Sequence, residues 1–314
     1  MKCPICQSSG SVSSFTLWDD RYGYPGKFKL QRCRVCGHVF LPCAFSPERL
    51  SRLYTDYYPR STFDVDNYRP HIQKKGLGSW LDGAYASAFR WVPRDVRILD
   101  IGCGFGESLG YHAARGCEVY GVETDENIRR VAEKHGFRIH VGVFDPAVYE
   151  PNFFDTITMD QVMEHMIDPI KTLRGAAGIL KPKGRILITV PNSQGWGAKI
   201  FLCRWINWHA PYHLHFFSKE SMRIAAYKAG LEIREEKTIT NSHWLNFQLQ
   251  HLLFYPKYTV ASIFWSPDGR PTSGKRYWSA VFSLAHKVKI NHVITRLFDI
   301  LGYGDNRIFI LEKP

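Results

Sequence analysis

From Val96 onward, short apolar runs alternate with helical segments of about ten residues, and this alternation restricts the central chain to a parallel sheet covered by helices. Arg97–Ile101 reads as a buried strand, Glu107–Arg115 as a helix stopped by Gly116, and Glu118–Val122 as the next strand. A second helix, Asp125–His135, stops at Gly136, and Arg138–Val141 and Phe154–Met159 read as further strands. Asp168 is placed to cap a helix whose first position is Pro169. Pro182-Lys183-Gly184 then turns the chain into the strand Arg185–Val190. Ser218 caps a helix ending at Gly230. Leu231–Glu236 and Arg307–Leu311 read as the last two strands, the final one closing the sheet as an antiparallel edge. The fold expected is doubly wound α/β.

The first of these strands runs into Asp100-Ile101-Gly102-Cys103-Gly104-Phe105-Gly106. Glycines there let the backbone approach a ligand at the carboxyl edge of the sheet, where open α/β folds bind. Glu107 stands where a dinucleotide fingerprint needs its third glycine, so no pyrophosphate seat is prepared. Asp100 suits an amine-bearing ligand, and Glu123, at the end of the second strand, is placed to accept from both hydroxyls of a ribose. A ribose, no pyrophosphate and an acid for a cationic group together describe S-adenosylmethionine.

Four stretches carry a more specific likeness: Ile98 to Gly106; Tyr120-Gly121-Val122-Glu123; Phe154 to His165, with Asp160-Gln161-Val162-Met163-Glu164-His165; and Leu180 to Asn192. In this order, over residues 95–236, they resemble class I S-adenosylmethionine-dependent methyltransferases, especially the branch related to ubiquinone-biosynthesis O-methyltransferases. The resemblance implies a Rossmann-like, seven-stranded sheet with the cofactor over the glycine loop. It places Gly102, Gly104 and Gly106 against the methionine and ribose portions, Glu123 on the ribose, Asp160 and Gln161 near the methionine end, and Phe144 or Asp145 near the adenine.

Methyl transfer needs alignment of donor and acceptor, plus a base when the acceptor is a hydroxyl. After the fifth strand come His209, His213 and His215 within seven residues, and histidine changes charge near neutral pH. Tyr212 to Ser218 is also similar to the E-H-x-x-Y-F-S segment of zinc-ribbon sugar C-methyltransferases, in which the histidine is the base. His213 falls on that position and Tyr212 replaces the acidic residue. His213 is therefore the first candidate base, His215 the second, and His165 a residue that shapes the cofactor pocket.

Cys3-Pro-Ile-Cys6 and Cys33-Arg-Val-Cys36 are two C-x-x-C turns separated by 26 residues. Paired turns of this kind complete a tetrahedral thiolate shell for Zn²⁺, so residues 1–60 read as a zinc ribbon, with His38 as a reserve ligand. Cys43, Cys103, Cys117 and Cys203 lack a partner at ligand spacing. Residues 61–94 read as a linker and helical lead-in, with Arg60 to Pro70 its polar part, and 95–314 as the catalytic domain. Within that domain, residues 240–303 form an aromatic-rich insertion before the last strand, and Trp278, Val281, Phe282, Ala285 and Val288 recur there at helical spacing. The insertion is expected to be a helical lid on the sheet. Its net charge over 242–301, seven Lys/Arg against two Asp/Glu, also allows contact with a membrane surface or a lipid-linked acceptor.

Across 314 residues, 41 Lys/Arg oppose 29 Asp/Glu, a formal charge of +12. With the ribbon, that charge keeps an RNA methyltransferase as an alternative, though the strand-four end, Asp160-Gln161-Val162-Met163, lacks an Asn/Asp-Pro-Pro-Tyr-type motif for a base amine. A non-catalytic scaffold is the alternative from another class. The longest uncharged stretch of the C-terminal third, Thr238–Pro256, holds too many Asn, Gln and His to span a bilayer. No apolar run of the export type opens the sequence, so a reducing cytoplasm is expected, with attachment to the inner membrane face as the variant. The reading that unites these features is methyl transfer to a sugar hydroxyl, on a nucleotide-sugar or a lipid-linked glycan, in polysaccharide or natural-product biosynthesis.

Overall fold

The computed structural model describes residues 2–42, 49, 53–57, 68–72, 76–265 and 273–314. Cys43 and most of the expected linker, residues 60–67, lie outside the described residues.

Among the described residues the strands, in chain order, are β1 (Ser11–Leu17), β2 (Phe28–Cys33), β3 (Val39–Phe40), β4 (Arg97–Ile101), β5 (Glu118–Glu123), β6 (Arg138–Val141), β7 (Phe154–Asp160), β8 (Leu180–Pro191), β9 (His215–Phe216), β10 (Glu232–Ile239) and β11 (Asn306–Glu312). Seven of them form one sheet in the order β10-β11-β8-β7-β4-β5-β6. The strands β6, β5, β4, β7 and β8 run parallel. Their side chains Ile98, Leu99, Ile101, Ile157, Met159, Ile186 and Ile188 are buried, as expected of parallel strands covered on both faces. Two helices over this sheet end or start as their sequences dictate. Helix α2 (Glu107–Ala113) follows the glycine loop directly, and α3 (Ile128–His135) stops at Gly136, which takes φ +71°. In α4 (Pro169–Ile179) the Asp168 carboxylate accepts from the Lys171 amide at 2.9 Å.

Two expectations about the sheet are corrected. The Pro182-Lys183-Gly184 turn does not end one element and start another; it is absorbed into β8. Its backbone stays in the ladder because Lys183 N donates to Lys313 O and Lys313 N donates to Gly184 O, both at 3.0 Å. The last strand is not the edge. β11 lies antiparallel between β8 and β10, and β10 closes the sheet. The central position buries Ile308, Phe309 and Leu311, whereas β10, with Glu232, Glu235, Glu236 and Lys237, has the charged composition of an edge.

The second sheet, β1-β2-β3-β9, joins the N-terminal ribbon to the catalytic segment. Its fourth strand comes from the catalytic segment, with Val39 opposite Phe216 and Phe40 opposite His215. Cys3, Ile5, Cys33, Cys36 and Phe40 share a core with Phe217 and Met222. Ser218, which caps α6 (Lys219–Lys228) as expected, also donates its hydroxyl to Cys36 O at 2.6 Å, and Lys228 Nζ reaches Ile5 O at 2.6 Å. The ribbon is thus built onto the domain that follows it.

The insertion contains α7 (His243–Leu253), α8 (Ser273–Lys287) and α9 (Ile290–Ile300). Helix α8 packs on α7 and α9, and α9 in turn touches β10 and α1 (Gly76–Asp82). No described helix is long and apolar enough to cross a membrane.

Candidate active site

The loop after β4 owes its shape to its glycines. Gly102, Gly104 and Gly106 have φ of +74°, +55° and +79°, a region costly for residues with a Cβ. A Cβ on Gly102 would sit 2.5 Å from Val162 Cγ2, while one on Gly104 would meet nothing within 4 Å. The loop therefore packs tightly on the chain beyond β7 and presents an open backbone on its other side. Glu123, at the end of β5, accepts from the Gly104 amide at 3.0 Å with one carboxylate oxygen and from the Thr124 and Asp125 amides with the other. Asp100 faces inward: its oxygens take the Thr158 hydroxyl at 2.6 Å and the Ser108 hydroxyl. Burial pushes its carboxyl up to about 6. It holds strand and helix together under the loop.

Asp160 and Gln161 end β7. Asp160 accepts from the Thr189 hydroxyl, and burial raises it to about 7. Gln161 adopts φ +57°, and its Nε2 is buried without a hydrogen-bond partner among the described residues. An orphaned amide next to an open glycine loop needs an acceptor from a ligand. On the far side of β6, Asp145 is exposed and caps a short 3-10 turn through the Ala147 amide at 3.0 Å, and Phe144 packs against the core.

The histidines separate into two groups. His165 and His213 stand edge to face, their ring centroids 4.7 Å apart, and His209 lies 4.9 Å from His213. His165 Nδ1 is 3.0 Å from Tyr212 O and His213 Nδ1 is 2.8 Å from Asn207 O. A carbonyl only accepts, so each Nδ1 carries the proton and each Nε2 keeps a lone pair. Burial depresses both rings, His213 well below the ordinary value and His165 to about 4. His215 is elsewhere: it lies in β9 with its Nδ1 3.1 Å from His38 Nε2. That contact also takes His38, the reserve metal ligand, away from the cysteines.

Two residues of this region were not singled out from sequence. Glu164 is fully buried, and neither carboxylate oxygen has a partner among the described residues. It lies with His165 and His213 such that one ligand atom from each falls within 4.8 Å of the others, a set able to hold a cation or a hydroxyl. Arg21, from the ribbon, donates to Ile206 O at 2.6 Å, and its charge further lowers His209 and His213 beyond the effect of burial. A carboxylate before a histidine was visible in Glu164-His165; an arginine more than a hundred residues upstream gave no signal.

Comparison with known proteins decides what this loop serves. A family model described as a methyltransferase domain matches residues 71–236, more than half of the chain. The chain is a class I S-adenosylmethionine-dependent methyltransferase. It is 26% identical over 164 residues to the ubiquinone biosynthesis O-methyltransferase of Xanthomonas euvesicatoria, covering 48% of this chain and 69% of that protein. The Neisseria meningitidis protein of the same name is 28% identical over 162 residues, 47% of this chain and 68% of its own. Phosphoethanolamine N-methyltransferase 2 of Haemonchus contortus, solved with S-adenosyl-L-methionine, shares the fold, with a TM-score of 0.51 and 20% identity over 88% of this chain and 62% of that one.

In this methyltransferase the glycine loop, the Glu123 carboxylate and the orphaned Gln161 amide fit the cofactor's donors and acceptors. The four ribbon cysteines also converge: Cys3 and Cys36 Sγ are 3.7 Å apart, Cys6 and Cys33 Sγ 3.5 Å, and all four lie within 4.8 Å of one another. A tetrahedral thiolate shell with Zn–S of about 2.3 Å has edges of about 3.8 Å, so the methyltransferase's four sulfurs fit Zn²⁺. Tyr68, missed from sequence, closes over the loop and donates to Gly106 O at 2.8 Å.

Proposed function

We propose that this methyltransferase moves the methyl group of S-adenosylmethionine to a sugar hydroxyl, on a nucleotide-sugar or a lipid-linked glycan, with Zn²⁺ in the ribbon. The observation that carries the hydroxyl acceptor is the pair of imidazoles, His165 just beyond β7 and His213 just before β9, each with its Nδ1 on a carbonyl and its Nε2 left to accept a proton. When bound, the cofactor supplies an electrophilic methyl on a sulfonium. His213 takes the hydroxyl proton at Nε2 while its Nδ1–H stays on Asn207 O. Asn207 is itself held, its side-chain amide donating to Asp305 at 3.1 Å. Glu164 faces the same cluster and accepts a further hydroxyl. The two relatives named above act, by their names, in ubiquinone biosynthesis as O-methyltransferases, which supports oxygen as the methylated atom. The sugar rests on the ribbon and on the Tyr212-to-Ser218 likeness.

The test is a mass-spectrometric search for a 14-Da gain (one CH₂) over sugar nucleotides, cell glycolipids and phenols, with the cofactor supplied. A gain on a sugar nucleotide or glycolipid supports the reading. A gain on phenols alone overturns the sugar, and a gain on a nitrogen overturns the hydroxyl.

A further inference from the structure

Helix α9 is built inside out. Its inward face carries Asn291, His292, Thr295 and Arg296, with Thr295 fully buried and Arg296 only 4% exposed. Arg296 anchors this face: it donates to Trp80 O at 2.8 Å and to Thr240 O, and pairs with Asp299 at 2.7 Å, and Thr295 donates to Asn291 O at 2.9 Å. The outward face carries Ile290, Val293, Ile294, Leu297, Ile300 and Leu301, a continuous stripe at spacings of three and four. Leu297 is 58% exposed and Ile300 70%. A surface helix in water arranges these faces the other way, and a contiguous exposed apolar face marks an interaction surface. Helix α8 adds exposed Trp278 and Leu284, and Val288 follows its last residue, also exposed.

We propose that the α8–α9 hairpin seats the protein on a bilayer surface containing anionic phospholipid, with the α9 stripe at the headgroup boundary. Charge selects this occupant. Residues 273–303 contain five Lys/Arg and one acidic residue, Asp299, and Asp299 turns inward to Arg296 and Thr240. The hairpin itself therefore presents exposed Arg276 and Lys287 and no outward carboxylate of its own. The neighbouring Glu236, in the groove beside Ile300, is paired with Arg307 and Lys219, which leaves the hairpin's free charge matched to lipid phosphates. Trp278 and Tyr303 flank the stripe, as aromatic residues do at headgroup depth. A second copy of the chain would place like charges opposite one another. The inference goes beyond the acceptor assignment and does not depend on it.

Sedimentation of the full chain with phosphatidylcholine vesicles, with and without phosphatidylglycerol, tests it. Binding is expected to the anionic vesicles, about tenfold or more weaker to phosphatidylcholine alone, and weakening as salt rises. The double change Leu297→Ser, Ile300→Ser is expected to weaken binding about tenfold or more. The double change Arg276→Glu, Lys287→Glu is expected to abolish the preference for anionic lipid. Calorimetric affinity for S-adenosylmethionine should stay unchanged in both variants, showing an intact fold. No binding to anionic vesicles, or equal binding by the stripe variant, overturns the proposal. So does a dimer in light scattering that the stripe variant dissolves, which assigns the face to a second copy.

Discussion

Glu123 serves two sets of donors, the Gly104 amide on one oxygen and the Thr124 and Asp125 amides on the other. Ribose hydroxyls would meet a carboxylate already fixed in place. A charged hydrogen bond contributes about 1.5–3 kcal/mol, so Glu123→Ala is expected to weaken S-adenosylmethionine binding about tenfold or more by calorimetry. Unchanged affinity would remove Glu123 from the site. For the base, His213→Ala is expected to lower kcat about 10²- to 10⁴-fold and leave cofactor affinity intact. His215→Ala, outside the cluster, is the control. Protonation disables this base, and burial moves His213 well below its ordinary value. The kcat profile should therefore be flat from pH 8 to about 6.5, the imidazole's ordinary value, and fall only in more acid solution. A fall centred at or above that value counts against His213. Both residues were readable as candidates in the sequence because each lies at a fixed offset from a local motif. The isolation of Glu164 was not, because it is set by neighbours from Leu214 and the ribbon rather than by its own surroundings in sequence.

The element that matters most to the ribbon is the two-residue strand β9. Phe216 is fully buried in it, against Trp205 and Trp208. Phe216→Ala is expected to cost about 3–5 kcal/mol, read by denaturant titration, and to expose the ribbon to protease before the main sheet. An effect under about 1 kcal/mol would mean that β9 does not hold the ribbon. At the knuckles, one zinc per chain is expected by metal analysis. Cys33→Ser should remove it and lower thermal stability while sparing cofactor binding; metal-free protein purified without chelator would refute the site. The knuckles were legible because ligand spacing is local. Neither β9 nor the central position of β11 was: a strand's own residues state that it pairs, and the identity of its partner is decided by chain 100 or more residues away, as at Arg307 opposite Val190.

Over the whole molecule, sequence periodicity revealed the Trp278-to-Val288 stripe of the insertion without its sign, and the stripe of α9 went unread. A moment states that one face differs from the other; which face turns inward depends on what waits there, and for α9 that is Trp80 O and Thr240 O, which need donors. The parallel strands posed no such question, since both of their faces are covered. The pairing of β3 with β9 also sets an order of events during synthesis. His38 and His215 are 177 residues apart, and at about 5–20 residues per second the ribosome takes roughly 10–35 s to travel between them. Throughout that interval the nascent ribbon has one edge open and lacks its packing against Phe216, Phe217 and Met222. An ion held by the four sulfurs would let the emerging segment keep its shape until the rest of the enzyme arrives to cover it.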